Sequence, residues 1–326
     1  MTRKAIAFTV LFLLLPLLVG IDLCHGGADI SLADVLAALT GGEVPRTTAV
    51  IVRDIRLVKA IVAVLSGAAL ACAGLQMQTL FRNPLAGPYV LGVSSGASLG
   101  VAVFILGAPV FGASAGALGI AGAAWAGAAA VMVLVAAVGR RMRDIMVILI
   151  LGMMIASGVG AVVQILQYLS DENALKAYVI WTMGSLGDVT PVQLAVLAAT
   201  VAVGLVLAVA ALKPLNMLLF GEEYALTMGL NVSRTRAVIY TSTVLLAGGV
   251  TAFCGPIGFI GLAMPHVARL IVADSDHRVL MPAAVLAGAV VMVGCDIVSK
   301  AFGIPVNAVT SLLGIPIVVW IVLKNR

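Results

Sequence analysis

Charged residues punctuate this chain at wide intervals, and the stretches between them are apolar on every helical face. The charge-free runs are 5–21, 60–81, 83–139, 145–170, 189–212, 237–268, 279–295 and 301–323. A helix of about 20 apolar residues crosses roughly 30 Å of hydrocarbon, so most runs hold one span. The run 83–139 holds two, broken near Gly107-Ala-Pro109, and 237–268 holds two, broken near Gly255-Pro256. The pattern predicts ten transmembrane helices, at about 5–23, 57–80, 88–107, 113–138, 145–169, 191–212, 237–255, 257–273, 279–300 and 304–323. No run alternates every second residue as a barrel strand does, so the expected class is all-α.

The loops add smaller elements. In 22–56, Ser31-Leu-Ala-Asp34 is a capping-box pattern that opens a short helix. The segment 171–190 has a charge-free stretch too short to cross and predicts a helix at the outer surface. Gly67, Gly74 and Pro84 recur as Gly248, Gly255 and Pro265, all displaced by 181 residues. With ten spans, the second and seventh run in opposite directions. The chain is therefore expected to be two inverted five-helix halves, a common transporter plan.

Composition agrees and narrows the class. Of 326 residues, 62% are hydrophobic and 10% charged, with mean hydropathy +1.19. Soluble domains carry about 25% charged residues, so a cytoplasmic enzyme, a secreted scaffold and a nucleic-acid binder are excluded, and the lipid bilayer is the expected surrounding. Arg3-Lys4 before the apolar run 5–21 reads as an uncleaved first span, without an A-x-A-like cleavage site. The net charge of +5 distributes unevenly. If both termini are cytoplasmic, thirteen Lys and Arg lie inside and six outside, as basic residues distribute in membrane proteins.

Several chemistries are missing. There is no GxxxxGK[ST], so the chain has no ATP-binding P-loop of its own, and no HExxH. His25, His266 and His277 are not at metal-ligand spacings, and His266 is expected as a helix-start or packing residue. Cys24, Cys72, Cys254 and Cys295 form no CxxC and read as small hydrophobes. No catalytic or metal site is expected. Gly92-Val-Ser94-Ser-Gly96 and Gly96-Ala-Ser98-Leu-Gly100 imitate a nucleophile elbow. Their fourfold glycine spacing instead predicts a flat face for close helix packing. Asp188 and Asp296 are the nearest approach to intramembrane acids, and both are placed toward the outer side, away from mid-membrane.

The inner loop 213–236 is apolar for a segment outside the membrane. Pro214 stops the sixth span, Glu222-Glu223 suit a helix N-terminus, and Gly229 suits its C-terminal stop. Such a segment either lies on the bilayer interface or docks in a groove of a soluble partner. Glu223-x-Ala225-x3-Gly229 resembles the coupling pattern of ABC-importer permeases. Gly67-Ala-Ala-Leu-Ala, Gln76-Met-Gln78, Arg82-Asn-Pro-Leu-Ala86, Leu91-Gly-Val-Ser-Ser-Gly-Ala97, Trp181-Thr-Met-Gly184, Gly258-Phe-Ile-Gly-Leu262, Pro265-His266, Asp276-His-Arg278 and Ile304-Pro305-Val306 follow in order. Together they resemble the FecCD-type permease family, over about 51–323.

The resemblance implies one transmembrane permease domain over 1–326, in the bacterial inner membrane. It implies a type II ABC importer subunit, not an enzyme, that pairs with a second copy of itself. Two ABC ATPase subunits, which bind ATP and Mg, and a periplasmic substrate-binding protein complete the assembly. No cofactor is expected on this chain. The cargo is a bulky metal chelate, an iron–siderophore or haem ahead of cobalamin, against the different-class alternative of an ion-coupled secondary transporter. The ATPase-coupling segment falls on Leu215, Asn216, Gly221, Glu222, Glu223, Ala225, Leu226 and Gly229. The cytoplasmic gate falls on Asn83, Leu85, Ile145 and Met146. Binding-protein docking falls on Arg56, Lys59 and Lys300, although Val58 stands where the family has proline. The fifth span offers Met153, Met154, Ser157, Gln164 and Gln167 as pathway lining.

Overall fold

The computed structural model describes residues 3–107, 117–139, 142 and 145–324. Among these residues every regular element is helical. In chain order the helices are α1 (Arg3–Cys24), α2 (Leu32–Thr40), α3 (Arg46–Leu80), α4 (Val93–Leu106), α5 (Ala117–Gly139), α6 (Ile145–Leu169) and α7 (Glu172–Thr182). There follow α8 (Pro191–Ala210), α9 (Leu212–Leu218), α10 (Glu222–Thr227), α11 (Val232–Cys254), α12 (Ile260–Val272), α13 (His277–Phe302) and α14 (Val306–Lys324). Seven are long and apolar enough to cross a membrane, and α4, α12 and Val306–Trp320 are shorter apolar helices.

Local chemistry explains the boundaries. Ser31 caps α2, its hydroxyl accepting from the Asp34 N–H at 3.1 Å. Asp171 caps α7, and Thr190 with Gln193 closes a capping box around Pro191 at the start of α8. Pro214 acts four residues upstream. Its ring excludes the carbonyl of residue i−4, and α8 ends at Ala210; Pro214 itself sits in the first turn of α9.

Two expected spans come out short. The third, expected from 88, begins at Val93, and the eighth, expected from 257, begins at Ile260. Each follows an irregular Gly/Pro-containing segment and starts on a positive-φ residue, Gly92 (φ 78°) and Phe259 (φ 63°). At about 1.5 Å per residue, helices of 14 and 13 residues fall short of a 30 Å core. The second span runs the other way: a π-helical stretch, Ile51–Arg56, extends it back to Arg46. A second π stretch, Val244–Gly248, interrupts α11. The expected break near Gly107-Ala-Pro109 falls where α4 ends at Leu106; residues 108–116 lie outside the described residues.

α3 is the most buried of the long helices, and α1 and α6 the least. Glycine sets how closely α3 is approached. A Cβ on Gly67 would overlap the Gly288 carbonyl of α13, and one on Gly74 the Gly261 carbonyl of α12. The Gly92/Gly96/Gly100 face does what its spacing predicts: a Cβ on Gly96 or Gly100 would overlap the backbone of α5 at Gly127 or Ala123.

The packing pairs fall into two matched sets. α3 lies on α13 and α12, and its expected counterpart α11 lies on α5 and α4. The pairs α4·α5, α4·α6 and α5·α6 correspond to α12·α13, α12·α14 and α13·α14. Gly67 faces α13, and its sequence equivalent Gly248 faces Trp125 and Ala128 of α5. The first and sixth spans break the pattern: α1 lies against α13 and α12, whereas α8 lies against α11 and α3.

Candidate functional site

The segment 213–230 folds as two short helices at a corner. Leu215 and Leu218 of α9 are buried against the bundle. Gly221, at φ 103°, turns the chain into α10, which begins on Glu222 and Glu223 as the dipole favours. Gly229 closes α10 at φ 81°. Its N–H donates to the Leu226 carbonyl at 2.9 Å and the Leu230 N–H to Ala225 at 3.0 Å, a complete Schellman stop.

Which side chains this segment offers outward differs from the expectation. Ala225 is fully buried within the chain, so its small side chain serves α10's own packing. Glu222 is not free either: both its oxygens accept from the Arg236 guanidinium at 2.7 Å, a bidentate pair between α10 and α11. Asn216 also bonds internally. The exposed surface is instead apolar: Phe220, Tyr224, Leu226 and Met228, with Leu219 beside them. The rings of Phe220 and Tyr224 lie 5.8 Å apart. Glu223 stays exposed.

The α3–α4 turn, expected to form part of a gate, packs against this corner. Asn83 shapes the turn: its side-chain oxygen accepts from the Leu85 N–H at 2.9 Å. Leu85 projects outward, 47% exposed. Gln78 accepts from Arg269 of α12 at 2.7 Å and donates to the Leu262 carbonyl at 3.0 Å. His266 reaches the Pro84 carbonyl at 2.7 Å, a packing role as expected. A Cβ on Gly221 would lie 3.3 Å from the Arg82 guanidinium, so the turn also touches the corner directly. The other proposed gate element, the start of α6, places Met146 on an exposed surface. The side chain of Ile145 lies outside the described residues.

Asp276 caps α13 beside this junction, accepting from the Arg278 N–H and the Asn216 amide. Those two bonds, the backbone one first, hold its carboxyl below the ordinary 3.8. A lowered value means that the stabilisation is complete above the ordinary value and is lost only as pH falls through the lowered one. The cap is therefore ionised and intact at any physiological pH.

Of the suggested lining residues, Met153, Met154, Ser157 and Gln164 are exposed on one broad face of α6, and Gln167 is half-buried. That face carries a hydroxyl and amides between apolar side chains.

The three cations expected at a docking surface turn inward. Arg56 is 4% exposed, and its guanidinium donates to the carbonyls of Leu23, Cys24 and Ala28, tying the α1–α2 loop to α3. This disposition corrects the expectation of a side chain offered to a partner. Lys300 pairs with Asp22 at 2.8 Å and Asp296 at 2.9 Å, and Lys59 with Asp296 at 3.0 Å. Both carboxylates are fully buried. Two acids and two cations neutralise one another and bind α1, α3 and α13 together. Removing one partner of a buried pair costs about 3–5 kcal/mol. Asp296→Asn should therefore lower the melting temperature of the purified chain clearly. Asp296→Asn combined with Lys59→Met should recover part of the loss; no recovery would show that the two charges are not paired.

Comparison with known proteins decides the class. The FecCD transport family matches residues 13–324. This chain belongs to that family. It is 35% identical to the hemin transport system permease protein of Yersinia pestis, over 84% of this chain and 83% of the relative. It is 36% identical to the vitamin B12 import system permease protein of Salmonella paratyphi A, over 99% and 95%. A solved structure described as an inward-facing conformation of a metal-chelate type ABC transporter superposes with TM-score 0.86 at 28% identity, covering 98% of this chain and 99% of that one. The protein is a membrane transport permease and not an enzyme.

In this FecCD chain four of the stretches that carried the resemblance meet in space. Gln76-Met-Gln78, Arg82-Asn-Pro-Leu-Ala86, Pro265-His266 and Asp276-His-Arg278 converge on the junction of α3, α12, α13 and α9. Sequence reasoning had left Thr79, Arg82, Arg236, Arg269 and His277 without roles. Their signal was local: polar residues at the ends of otherwise apolar runs. Their partners, up to 198 residues away, were not readable.

Proposed function

We propose that this chain is one of two identical permease subunits of an ATP-driven importer in the bacterial inner membrane. Ten helices cross in two inverted five-helix halves, with both termini in the cytoplasm. The matched packing pairs of α3 and α11 support the inverted halves. The shortness of α4 and α12 fits broken helices at matched places in the two halves. The observation that carries the reading is the apolar face of Phe220, Tyr224, Leu226 and Met228 on the short corner outside the spans. A soluble ATPase, which binds ATP and Mg itself, is the partner that covers it. The open face of α6 supports the second copy: Ser157 and Gln164 would be costly against lipid and suit an aqueous pathway between subunits. Leu85 and Met146 at the start of α6 close that pathway toward the cytoplasm.

The cargo is a bulky metal chelate, an iron–siderophore or haem first and cobalamin as the alternative. Relatives named for hemin and for vitamin B12 share a metal-centred macrocycle as cargo. A periplasmic binding protein delivers it at the end carrying Lys59, whose side chain remains 21% exposed. In proteoliposomes with the cognate ATPase and binding protein, uptake of hemin, ferric siderophore or cyanocobalamin is expected only with ATP. Uptake driven by a proton or sodium gradient without ATPase would overturn the reading. The paired state of Asp22 and Asp296 stands against such ion coupling, because each already has a lysine.

A further inference from the structure

The junction between the corner and the α3–α4 turn contains a hydrogen-bonded line with a fixed direction. Asn216 of α9 donates through its amide to Asp276 at 2.7 Å. A carboxylate only accepts, so the Asn216 amide nitrogen must face it and the carbonyl oxygen must face α13. There that oxygen meets the His277 backbone N–H at 2.9 Å and the imidazole Nδ1 at 2.7 Å. An amide oxygen only accepts, so Nδ1 carries the proton. In the neutral ring Nε2 is then an acceptor, and it stands 2.8 Å from the Thr79 hydroxyl, whose single proton is shared between that nitrogen and the Leu75 carbonyl one turn back at 3.0 Å. Thr79 lies in the last turn of α3, two residues before Phe81 and the turn that presents Asn83 and Leu85. His277 is 1% exposed and Thr79 3%. The line therefore runs Asp276, Asn216, His277, Thr79, from a partly exposed carboxylate and amide at the corner to a buried imidazole and hydroxyl at the end of α3.

Among the described residues no other side chain is hydrogen-bonded to both the corner and α3. The Asp276 cap fixes the Asn216 orientation, Asn216 fixes the histidine tautomer, and the tautomer turns an accepting nitrogen toward the Thr79 hydroxyl. A displacement of α9 must carry the imidazole with it or leave buried polar atoms unpaired, which costs about 1–3 kcal/mol each.

We propose that His277 is a positioning residue that passes movement of the α9–α10 corner to the end of α3, and so to the gate side chain Leu85. The proposal rests on the importer reading and adds the route by which the ATPase acts on the pathway. It assigns a mechanical task to the Asp276-His-Arg278 stretch and to Asn216, whose side chain faces α13 and not the ATPase.

The test uses the full complex with its ATPase in lipid. Leu85→Cys reports the gate through labelling by a water-soluble maleimide, with and without ATP and vanadate. Thr79→Val removes only the hydroxyl, and His277→Phe removes both ring nitrogens at similar size. Both variants are expected to assemble and hydrolyse ATP while the ATP-dependent change in labelling falls roughly tenfold. Thr79→Ser, which keeps the hydroxyl, is expected to restore it. A full labelling response in Thr79→Val and His277→Phe overturns the proposal and leaves the importer reading intact. Failure of both variants to assemble assigns the line to folding alone and also overturns it. If the chain carrying only Leu85→Cys shows no response to ATP, the gate reading falls and the proposal falls with it.

Discussion

Valine at Gly74 should leave little folded chain in the membrane. Gly74 lies in the last third of the most buried of the long helices, where α3 crosses α12 backbone to backbone. A Cβ there would overlap the Gly261 carbonyl carbon and oxygen together, with the Gly261 Cα behind them. No side chain stands in between that could rotate away, so relief requires the two helices to separate. Separation would also open the neighbouring crossing of Gly67 on Gly288, because α12 and α13 pack on one another as well as on α3. Overpacking costs about 1–3 kcal/mol when side chains can adjust. Backbone overlap at a buried helix crossing puts this substitution at or above the top of that range. Gly294 supplies the control. It lies in α13 with open space around its missing Cβ. Alanine there should be neutral or slightly stabilising, since glycine inside a helix costs roughly 1 kcal/mol relative to alanine. The folded fraction is measured by size-exclusion of detergent extracts. Equal recovery of Gly74→Val and Gly294→Ala would refute the close crossing.

The parts of this fold that were legible in the sequence are those fixed by local chemistry. Charge-free runs located the apolar helices, because a buried charge is costly wherever it falls. Ser31 opens its short helix through a bond to the residue three positions on. Gly92, Gly96 and Gly100 declared a packing face by spacing alone, though not that α5 would fill it. The irregular stretches before α4 and α12 were hidden, since they are as uncharged as the helices they precede. Their mark was Gly and Pro in runs already rich in glycine. The lysines at 59 and 300 and the arginine at 56 were misplaced for another reason. A cation near a span end looks the same in sequence whether it faces water or a buried carboxylate. Only the fold brings Asp22 to Lys300. Ala225 failed likewise: a small residue on a docking helix is needed where surfaces approach, and here the close surface is the chain's own.

The exposed corner carries the strongest functional prediction. Phe220 is 70% exposed, and Tyr224 and Leu226 are 57% each, on a segment anchored by buried Leu215, Leu218 and Ala225. Anchors and exposed face separate cleanly, so the two can be changed independently. Phe220→Ala and Tyr224→Ala remove surface that the chain's own core does not use. In a docked interface aromatic side chains of this kind are worth about 2 kcal/mol or more each, roughly 30-fold in affinity. Together they should abolish co-elution of the ATPase while leaving the permease folded and dimeric. Leu226→Glu should do the same by placing a charge in an apolar groove. Ala225→Trp should act differently: it must unseat α10 from its own bundle, and so should lower thermal stability before any partner is added. Gly229→Val forces a β-branched residue to φ 81° and breaks the Schellman stop, with a similar local loss. Melting curves of the permease alone and ATPase pull-down from lipid nanodiscs separate the two kinds. If Phe220→Ala with Tyr224→Ala still binds the ATPase at wild-type affinity, the face docks on lipid and not on a protein, and the route of ATP energy into this chain must be sought elsewhere.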